Sequence, residues 1–479
     1  MEQKTFYQVL ILCLVFFASL IVLFARLGDP HLSDWDEAWH GAISRTMSRD
    51  GELFTPKWNG RPYLEKPPLY YWLSSTVYRI IGDTSLSARV VSAAAGVATV
   101  VVVYVIASRM RGTLTGVIAS SILLSTIGFV SRARTGNLDS LFALCFISSI
   151  ASYDLMRRSR SHAWTWVLGL CLLSGFLTKG FGIFLVPAIC IAYHLAKKDV
   201  PTVRKLAWSI FIAVAGITTW FGLSYIVNGQ AFINEFLFHQ SDKLVGKTSV
   251  FEHVSLTYFT HLKSGLKLWL FAAIPAIGYG LYRLSGQKHE RSTIHILALF
   301  IIVFLALLSF VESKNNWFLM PLYPYIAVLT AVFIYDNAKR VGYIRTVVFL
   351  CLMIGIVQTY YYRDSIFVPD VVEDRSEMAT LAKLLTSPDE PLYITNSYYP
   401  AAVYYSERTV YAVYSEHAAN ESWWILPVAS WPDIISPHPV YIMTNTNELD
   451  VLKKSVPDVV FEQEGRSGDI ILMKTYETP

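Results

Sequence analysis

Residues 59–68 read Asn59-Gly60-Arg61-Pro62-Tyr63-Leu64-Glu65-Lys66-Pro67-Pro68 and lead into Leu69-Tyr70-Tyr71-Trp72. A second polar cluster precedes them, Ser33-Asp34-Trp35-Asp36-Glu37-Ala38-Trp39. Both fall between an apolar run that begins near Phe6 and another that begins near Leu86. Ionisable groups beside a membrane are costly to keep, so acids, a lysine and aromatics gathered there point to a polar headgroup or substrate.

The rest of the chain confirms the membrane setting. Of 479 residues, 53% are hydrophobic and only 16% charged, and the mean hydropathy is +0.41. Such a composition excludes an ordinary soluble domain. Cys13, Cys145, Cys171, Cys190 and Cys351 all lie inside apolar runs, which argues against a disulfide framework or a cysteine metal cluster. A formal net charge of +4 is too small to suggest nucleic acid as a partner.

Apolar runs of spanning length begin near Phe6, Leu86, Leu114, Leu138, Trp164, Phe181, Leu206, Leu266, Ile294, Phe318 and Ile344. They predict about eleven transmembrane helices. Every second connection is basic: Arg109 and Arg111; Arg157, Arg158 and Arg160; Lys197, Lys198, Arg204 and Lys205; Arg283, Lys288 and Arg291; Lys339, Arg340 and Arg345. The positive-inside rule makes these connections cytoplasmic, which puts the N-terminus inside and the first loop, residues 26–85, outside. An odd helix count also places the C-terminus outside. The first run is longer than a signal-peptide core and lacks a convincing small-residue cleavage site, so it reads as an uncleaved helix.

The chain divides into a membrane domain, residues 1–362, and a soluble C-terminal domain, residues 363–479. In the latter, residues 391–395, 439–443, 459–461 and 469–473 read as buried strands, with a crossover helix over 445–454, which together make a small α/β module. No phosphate loop, metal motif or nucleophile elbow appears in it, so an accessory role is expected.

In the first loop, residues 36–49 have helical spacing, with Ser33 or Asp34 as N-cap and Trp39, Ile43 and Met47 on one face. A second interfacial helix starts at Pro67-Pro68, where the fixed φ suits a first turn. Topology brings further polar residues to the same side: Arg132, Arg134, Asn137 and Asp139; Lys179; Glu312, Ser313 and Lys314; and Glu235, His239, Asp242 and Lys243 in a later loop, residues 228–265. Any one of these residues taken alone reads as a solvated or snorkelling side chain. Their convergence is what suggests a site.

These motifs, with Arg134-Thr135-Gly136-Asn137-Leu138-Asp139, Leu177-Thr178-Lys179-Gly180 and Ser313-Lys314 before Leu319-Met320-Pro321, resemble the aminoarabinose transferase and protein mannosyltransferase group of GT-C glycosyltransferases. The resemblance covers about residues 34–335. It implies an inverting transferase that takes a sugar from a polyprenyl-phosphate donor at the outer face of a bacterial inner membrane. It matches Asp36 and Glu37 to the group's acidic pair, Glu65 and Lys66 to its acid-lysine pair beside the lipid phosphate, and Asp139 to the acid after the third helix. His239 and Lys243 fall near its later histidine and basic residue. The implied acceptor is a lipid such as lipid A, a glycan or a protein.

Chemistry supports the same roles. Removing a proton from an attacking hydroxyl needs a base, for which Asp36 or Glu37 serves, Asp36 being preferred on motif position. A departing lipid phosphate needs cations, for which Lys66, Lys243, Arg132 and Arg134 are the candidates. Glu65, Tyr63, Asp139 and His239 are candidates for holding the sugar or acceptor, and Lys179 and Lys314 are helix-end candidates. No dedicated metal site is expected, although the acidic pair offers a place for a divalent cation. A glycosidase also uses paired acids, but on an unsuitable scaffold. The main alternative is a transporter or flippase of a lipid-linked sugar, which would place charges near helix midpoints and show repeated halves. Neither feature is seen.

Overall fold

A computed structural model describes all residues except 1, 160, 243–255, 283–288, 312, 368–372, 396–398, 414–427, 430–438, 458 and 478–479. Helices form at every apolar run. They are α1 (Glu2–Phe24), α4 (Ser85–Arg111), α5 (Thr113–Leu124) with α6 (Ile127–Ala133), α7 (Asp139–Arg158), α8 (Ala163–Lys179), α9 (Leu185–Ala196), α10 (Val200–Asp242), α11 (Thr257–Leu266) with α12 (Leu270–Tyr282), α13 (His289–Phe310), α14 (Leu322–Arg340) and α15 (Ile344–Tyr361). The first loop adds α2 (Asp36–Asp50) and α3 (Leu69–Ile81).

Among the described residues, seven helices are long and apolar enough to cross a bilayer, or eight if the bent pair α5–α6 is one span. The sequence reading of about eleven is larger because α8 and α9 are short, at 17 and 12 residues, and because α14 ends in Asp336, Asn337, Lys339 and Arg340. α4 and α7 lie in the bundle interior, whereas α1, α10 and α15 keep most of their apolar surface on the outside, as lipid-facing helices do. Arg111 pairs with Asp336 at 2.7 Å, and Lys205 donates to the Met156 carbonyl, so the basic helix ends gather at one end of the bundle.

The α5–α6 pair bends by 70° after Leu124. A break frees backbone groups that hydrocarbon cannot satisfy. Here Gln358 donates to the Ser125 carbonyl at 2.5 Å, and the Trp269 indole donates to Ser125 Oγ at 2.8 Å. The bend turns α6, which carries Arg132 and is followed by Arg134 as its C-cap, away from the line of α5. α10 also departs from expectation: it runs past a kink at Gly229 (φ 61°), so residues 228–242, expected in a loop, are helical.

The C-terminal domain holds a six-stranded sheet of order β5-β4-β3-β6-β8-β7. Its strands are β3 (Leu392–Thr395), β4 (Val410–Val413), β5 (Val428–Ala429), β6 (Val440–Asn445), β7 (Val459–Ser467) and β8 (Ile470–Glu477), while β1 (Lys57–Trp58) and β2 (Arg61–Pro62) form a hairpin in the first loop. β3 pairs parallel with β4 and β6, and β8 pairs antiparallel with β6 and β7. The helix Thr446–Ser455 links β6 to β7 across β8. The short β4 and β5 were not read from sequence. The domain does not have a core wholly its own: Leu32, Ile43, Met47, Tyr63 and Tyr71 of the first loop pack in one apolar cluster with Met378, Leu392, Ala401 and Tyr404.

Candidate active site

Asp36 opens α2, and the route into that helix is unusual. Trp35 has φ 69° and ψ −124°, a region that costs a side-chain-bearing residue energy. The expected N-caps do not cap: Asp34 Oδ1 instead accepts from the Ala401 N–H at 2.9 Å, and Ser33 donates through N and Oγ to Glu37 Oε2 at 2.9 and 3.1 Å. The neighbouring acids therefore have different fates.

Glu37 is buried, with its side chain 2% exposed. Arg89 grips it from both sides, Nε to Oε1 at 2.5 Å and Nη2 to Oε2 at 2.9 Å, and the Gly136 N–H adds a bond to Oε1 at 2.9 Å. Burial works to raise its pKa, but Arg89 and the backbone donors hold it below the ordinary glutamate range. Arg89 also donates to the carbonyls of Leu27, Pro30 and His31. This pair fastens the chain where it leaves α1.

Asp36 is the open member, with its side chain 39% exposed against 4% for Asp139. Arg132 lies between them: Nη2 bonds Asp36 Oδ2, while Nε reaches Asp139 Oδ2 at 2.8 Å. Lys179, the last residue of α8, pairs with the other oxygen of Asp139. Asn137 Oδ1 accepts from the Asp139 N–H at 2.8 Å and fixes the start of α7. Residues 36, 132, 139 and 179 thus converge from four helices or helix ends. Burial pushes the Asp36 pKa up, but the Arg132 guanidinium outweighs it and leaves the carboxyl below the ordinary aspartate range.

His40, missed in the sequence reading, lies one turn after Asp36 and so on the same face of α2. Its Nδ1 is 3.0 Å from the Tyr71 hydroxyl. Burial lowers its pKa to about 4, against the opposing pull of Asp36, so it is neutral at pH 7. Lys66 is half-buried and acts electrostatically on His40 together with Asp36, Arg132 and Asp139. Glu65 is buried, and its charge bears on Tyr71. Tyr63 is buried with its ring edge-on to Tyr71 and Trp39, and Trp39 stacks on Trp58 at 4.9 Å. Glu235 accepts from the Leu64 N–H at 3.2 Å, tying α10 to the Glu65-Lys66 segment.

Other expected site residues serve elsewhere. Arg134, expected at the phosphate, gives Nε, Nη1 and Nη2 to the carbonyls of Ile366, Val22 and Ala25, at 2.7–2.9 Å. Those bonds tie α1 to the segment after α15 and engage all three guanidinium nitrogens. Lys314 donates to the Ser309 carbonyl at 2.7 Å near the end of α13. His239 is on α10 with its side chain outside the described residues, and Lys243 lies outside them altogether. Trp317, a further residue that the sequence reading did not single out, presents its ring to Arg132 at 5.1 Å. At the acidic pair, Glu37 is filled by N–H and O–H donors, and Arg132 bonds one oxygen of Asp36. Among the described residues, no three His, Cys, Asp or Glu side chains are grouped to hold a metal. A lateral cavity of about 740 Å³ opens between α1, α5 and α15, with an almost wholly apolar lining and Arg363 among the lining residues. It shares no residue with the Asp36 cluster.

Residues 65–223 match the family model described as dolichyl-phosphate-mannose-protein mannosyltransferase. Over 333 residues the chain is 26% identical to an uncharacterized protein of Aquifex aeolicus, a match that covers 68% of this chain and 64% of that one. Over 324 residues it is 27% identical to the undecaprenyl phosphate-alpha-4-amino-4-deoxy-L-arabinose arabinosyl transferase of Pseudomonas savastanoi, covering 66% and 59%. The chain therefore spans about three fifths of the length of these curated relatives. In three dimensions it superposes on ArnT from Cupriavidus metallidurans bound to undecaprenyl phosphate, with a TM-score of 0.78 over 96% of this chain and 97% of that one, at 17% identity. The family match, the arabinosyl transferase relatives and the ArnT fold together support a GT-C glycosyltransferase. The apo oligosaccharyltransferase of Archaeoglobus fulgidus also superposes on the chain, at a TM-score of 0.60 and 13% identity, over 85% of this chain and 64% of that one. The family match opens on Glu65 and contains Arg132, Asp139 and Lys179, whereas Asp36 and Glu37 lie N-terminal to it.

Proposed function

We propose that the protein is an inverting glycosyltransferase of a bacterial inner membrane, taking a sugar from a polyprenyl-phosphate donor and passing it to a hydroxyl or phosphate acceptor on the outer face. One observation carries the reading: a partly open carboxylate, Asp36, sits one hydrogen bond from Arg132 in a group that also holds Asp139 and Lys179. A base and a phosphate-binding cation are thereby side by side. The relatives' names and the lipid in the ArnT structure support the donor class. In this reading about eleven helices cross the membrane, the basic connections face the cytoplasm, and the C-terminal domain is periplasmic.

Asp36 takes the proton from the acceptor hydroxyl, whose oxygen attacks the anomeric carbon from the face opposite the phosphate. The carbon–oxygen bond to the polyprenyl phosphate breaks and the phosphate keeps the electron pair. Lys66 and Arg132 stabilise the charge that gathers there. Asp139 and Lys179 hold Arg132 in place, Glu65 and Tyr63 border the sugar, and Glu37 positions α2. His40 stays neutral, so it offers a hydrogen bond without opposing Arg132 for the phosphate. No step uses a divalent cation, and transfer is expected to continue in a chelator.

The test is mass spectrometry of lipid that co-purifies with wild type and with Lys66→Ala. A polyprenyl-phosphate sugar retained by the wild type and depleted in the variant supports the reading and names the sugar. Transfer at wild-type rates by both Asp36→Asn and Lys66→Ala refutes it. A flippase would move the lipid-linked sugar across vesicles without producing a glycosylated acceptor.

A further inference from the structure

The C-terminal domain reads from sequence as an accessory module, yet it is built into the segment that presents Asp36. Tyr405 Oη accepts the Leu32 N–H at 2.7 Å, and the Ala401 N–H donates to Asp34 Oδ1 at 2.9 Å. Both come from the short helix Pro400–Ser406. They hold residues 32–34 from one side while Arg89 holds the carbonyls of Leu27, Pro30 and His31, together with Glu37, from the other. Between these anchors lie only Trp35, in its strained conformation, and Asp36. A strained backbone persists only where its surroundings over-determine it, and here the surroundings supply bonds on both flanks.

The same helix seats α2 itself. Arg45 Nη2 donates to the Tyr404 carbonyl at 2.7 Å and its guanidinium stands 4.3 Å over the Tyr404 ring. Gly41 permits this approach, since a Cβ there would lie 3.1 Å from that ring. A second contact reaches the other arm of the loop. Asn59, at the tip of the β1–β2 hairpin, pairs both ways with Val410 of β4, Nδ2 to O at 2.8 Å and Oδ1 from N at 2.9 Å. The domain therefore grips both arms of the first loop, the one that carries Asp36 and the one that leads to Lys66.

We infer that the helix Pro400–Ser406 is a positioning element for Asp36, acting through Tyr405 and the Asp34–Ala401 bond, so that the C-terminal domain belongs to the catalytic apparatus. The inference rests on the transferase reading for its consequence in turnover, but the clamp has a test of its own. Neither Tyr405 nor Asp34 is assigned contact with substrate, so losing either should lower kcat and leave donor binding alone.

The experiment compares wild type with Tyr405→Phe, Asp34→Ala and Asp34→Asn as full-length protein in detergent. Hydrogen exchange over residues 31–41 is followed by mass spectrometry, with thermal unfolding and donor-dependent kinetics alongside. Tyr405→Phe keeps the ring but cannot accept from Leu32, so exchange in this segment should speed up while global unfolding changes little. Its kcat should fall about tenfold or more with the donor KM within about twofold, since small misplacements of a reacting group cost rate rather than binding. Asp34→Ala should behave alike, and Asp34→Asn, which retains a carbonyl acceptor for Ala401, should recover most of the loss. Unchanged exchange and kcat in Tyr405→Phe and Asp34→Ala overturn the inference, as does a rate loss without faster exchange at 31–41. If Tyr405→Phe unfolds, the Asp34 pair decides alone. A wild type that transfers no sugar would defeat the transferase reading instead, and the exchange result would still report on the clamp.

Discussion

Asp36 and Glu37 are adjacent carboxylates with opposite expected responses to the same loss of charge. Glu37 accepts at Oε1 from Arg89 Nε and Gly136 N, and at Oε2 from Arg89 Nη2, Ser33 N and Ser33 Oγ. In Glu37→Gln the amide nitrogen must replace one oxygen. Even its better orientation, toward Oε1, faces two N–H donors with a third and leaves Arg89 buried without a counter-charge. Breaking one side of a buried ion pair costs about 3–5 kcal/mol, equivalent to roughly two to three and a half decades in the folding equilibrium. Asp36→Asn removes a partly exposed partner of Arg132, an interaction in the range of about 0–1 kcal/mol. On the proposed transferase reading it also removes the base, which is worth about 10²–10⁴ in rate. The assay is thermal unfolding in detergent, read by fluorescence-detected size exclusion, beside transfer from extracted donor lipid. Glu37→Gln should unfold many degrees earlier, and Asp36→Asn should unfold with the wild type, retain donor and transfer almost nothing. A stable, active Glu37→Gln, or an Asp36→Asn protein that is destabilised as much as Glu37→Gln, would refute the division of roles.

Arg132→Gln should move the acid limb of the pH–rate profile upward: the lowered Asp36 pKa keeps the base ionised until the pH drops through it, and without the guanidinium burial raises that point. Glu407, held down to about 2 against burial by Arg49, Lys383 and Arg45, should contribute to domain docking above the ordinary glutamate pKa and lose that contribution as the pH falls toward about 2. Limited proteolysis of wild type and Glu407→Gln across pH 2–5, with an acid-stable protease, should show acid-induced release only in the wild type, the variant being looser throughout. Arg134→Ala should lower thermal stability by on the order of 3 kcal/mol, because three carbonyls lose their donor, yet leave the co-purifying donor lipid unchanged. Gly128→Ala would put a Cβ 2.3 Å from the Tyr323 hydroxyl, at a cost of about 1–3 kcal/mol in unfolding, and Tyr323→Phe in the same chain should recover part of it.

The helix positions were legible because apolar runs and basic turns are properties of contiguous sequence. The span count was less so: α8 and α9 are apolar but short, and α14 ends in charge, so their depth depends on packing against neighbours. The site was legible in part for the same reason. Asp36, Lys66, Asp139 and Lys179 stand at helix ends or in short loops where a charge interrupts an apolar pattern, but their pairing comes from the bend at Ser125 and the tertiary approach of α6. Arg132 and Arg134, two residues apart, looked equivalent. At the end of α6 one turns to Asp36 and the other to carbonyls at the end of α1 and after α15, and nothing in their spacing tells which joins the acidic cluster.

The greatest loss of information lay between residue 34 and residues 401–405, more than 360 positions apart. A short polar segment before a helix reads locally as a cap, and Asp34 has the right chemistry for one. The Ala401 N–H claims that carboxylate, so Trp35 takes up the helix entry in a conformation its side chain disfavours. Held by these distant anchors, Asp36 keeps its angle to Arg132 without a local cap, and the Asn59–Val410 pair fastens the tip of the same loop to the same domain. A locally capped helix entry would have spared Trp35 its positive φ but would have left residues 32–34 without the tie to residues 401–405. On this reasoning the cost at Trp35 is the consequence of anchoring the segment across the chain, and on the proposed transferase reading the C-terminal domain is where the orientation of the base is fixed.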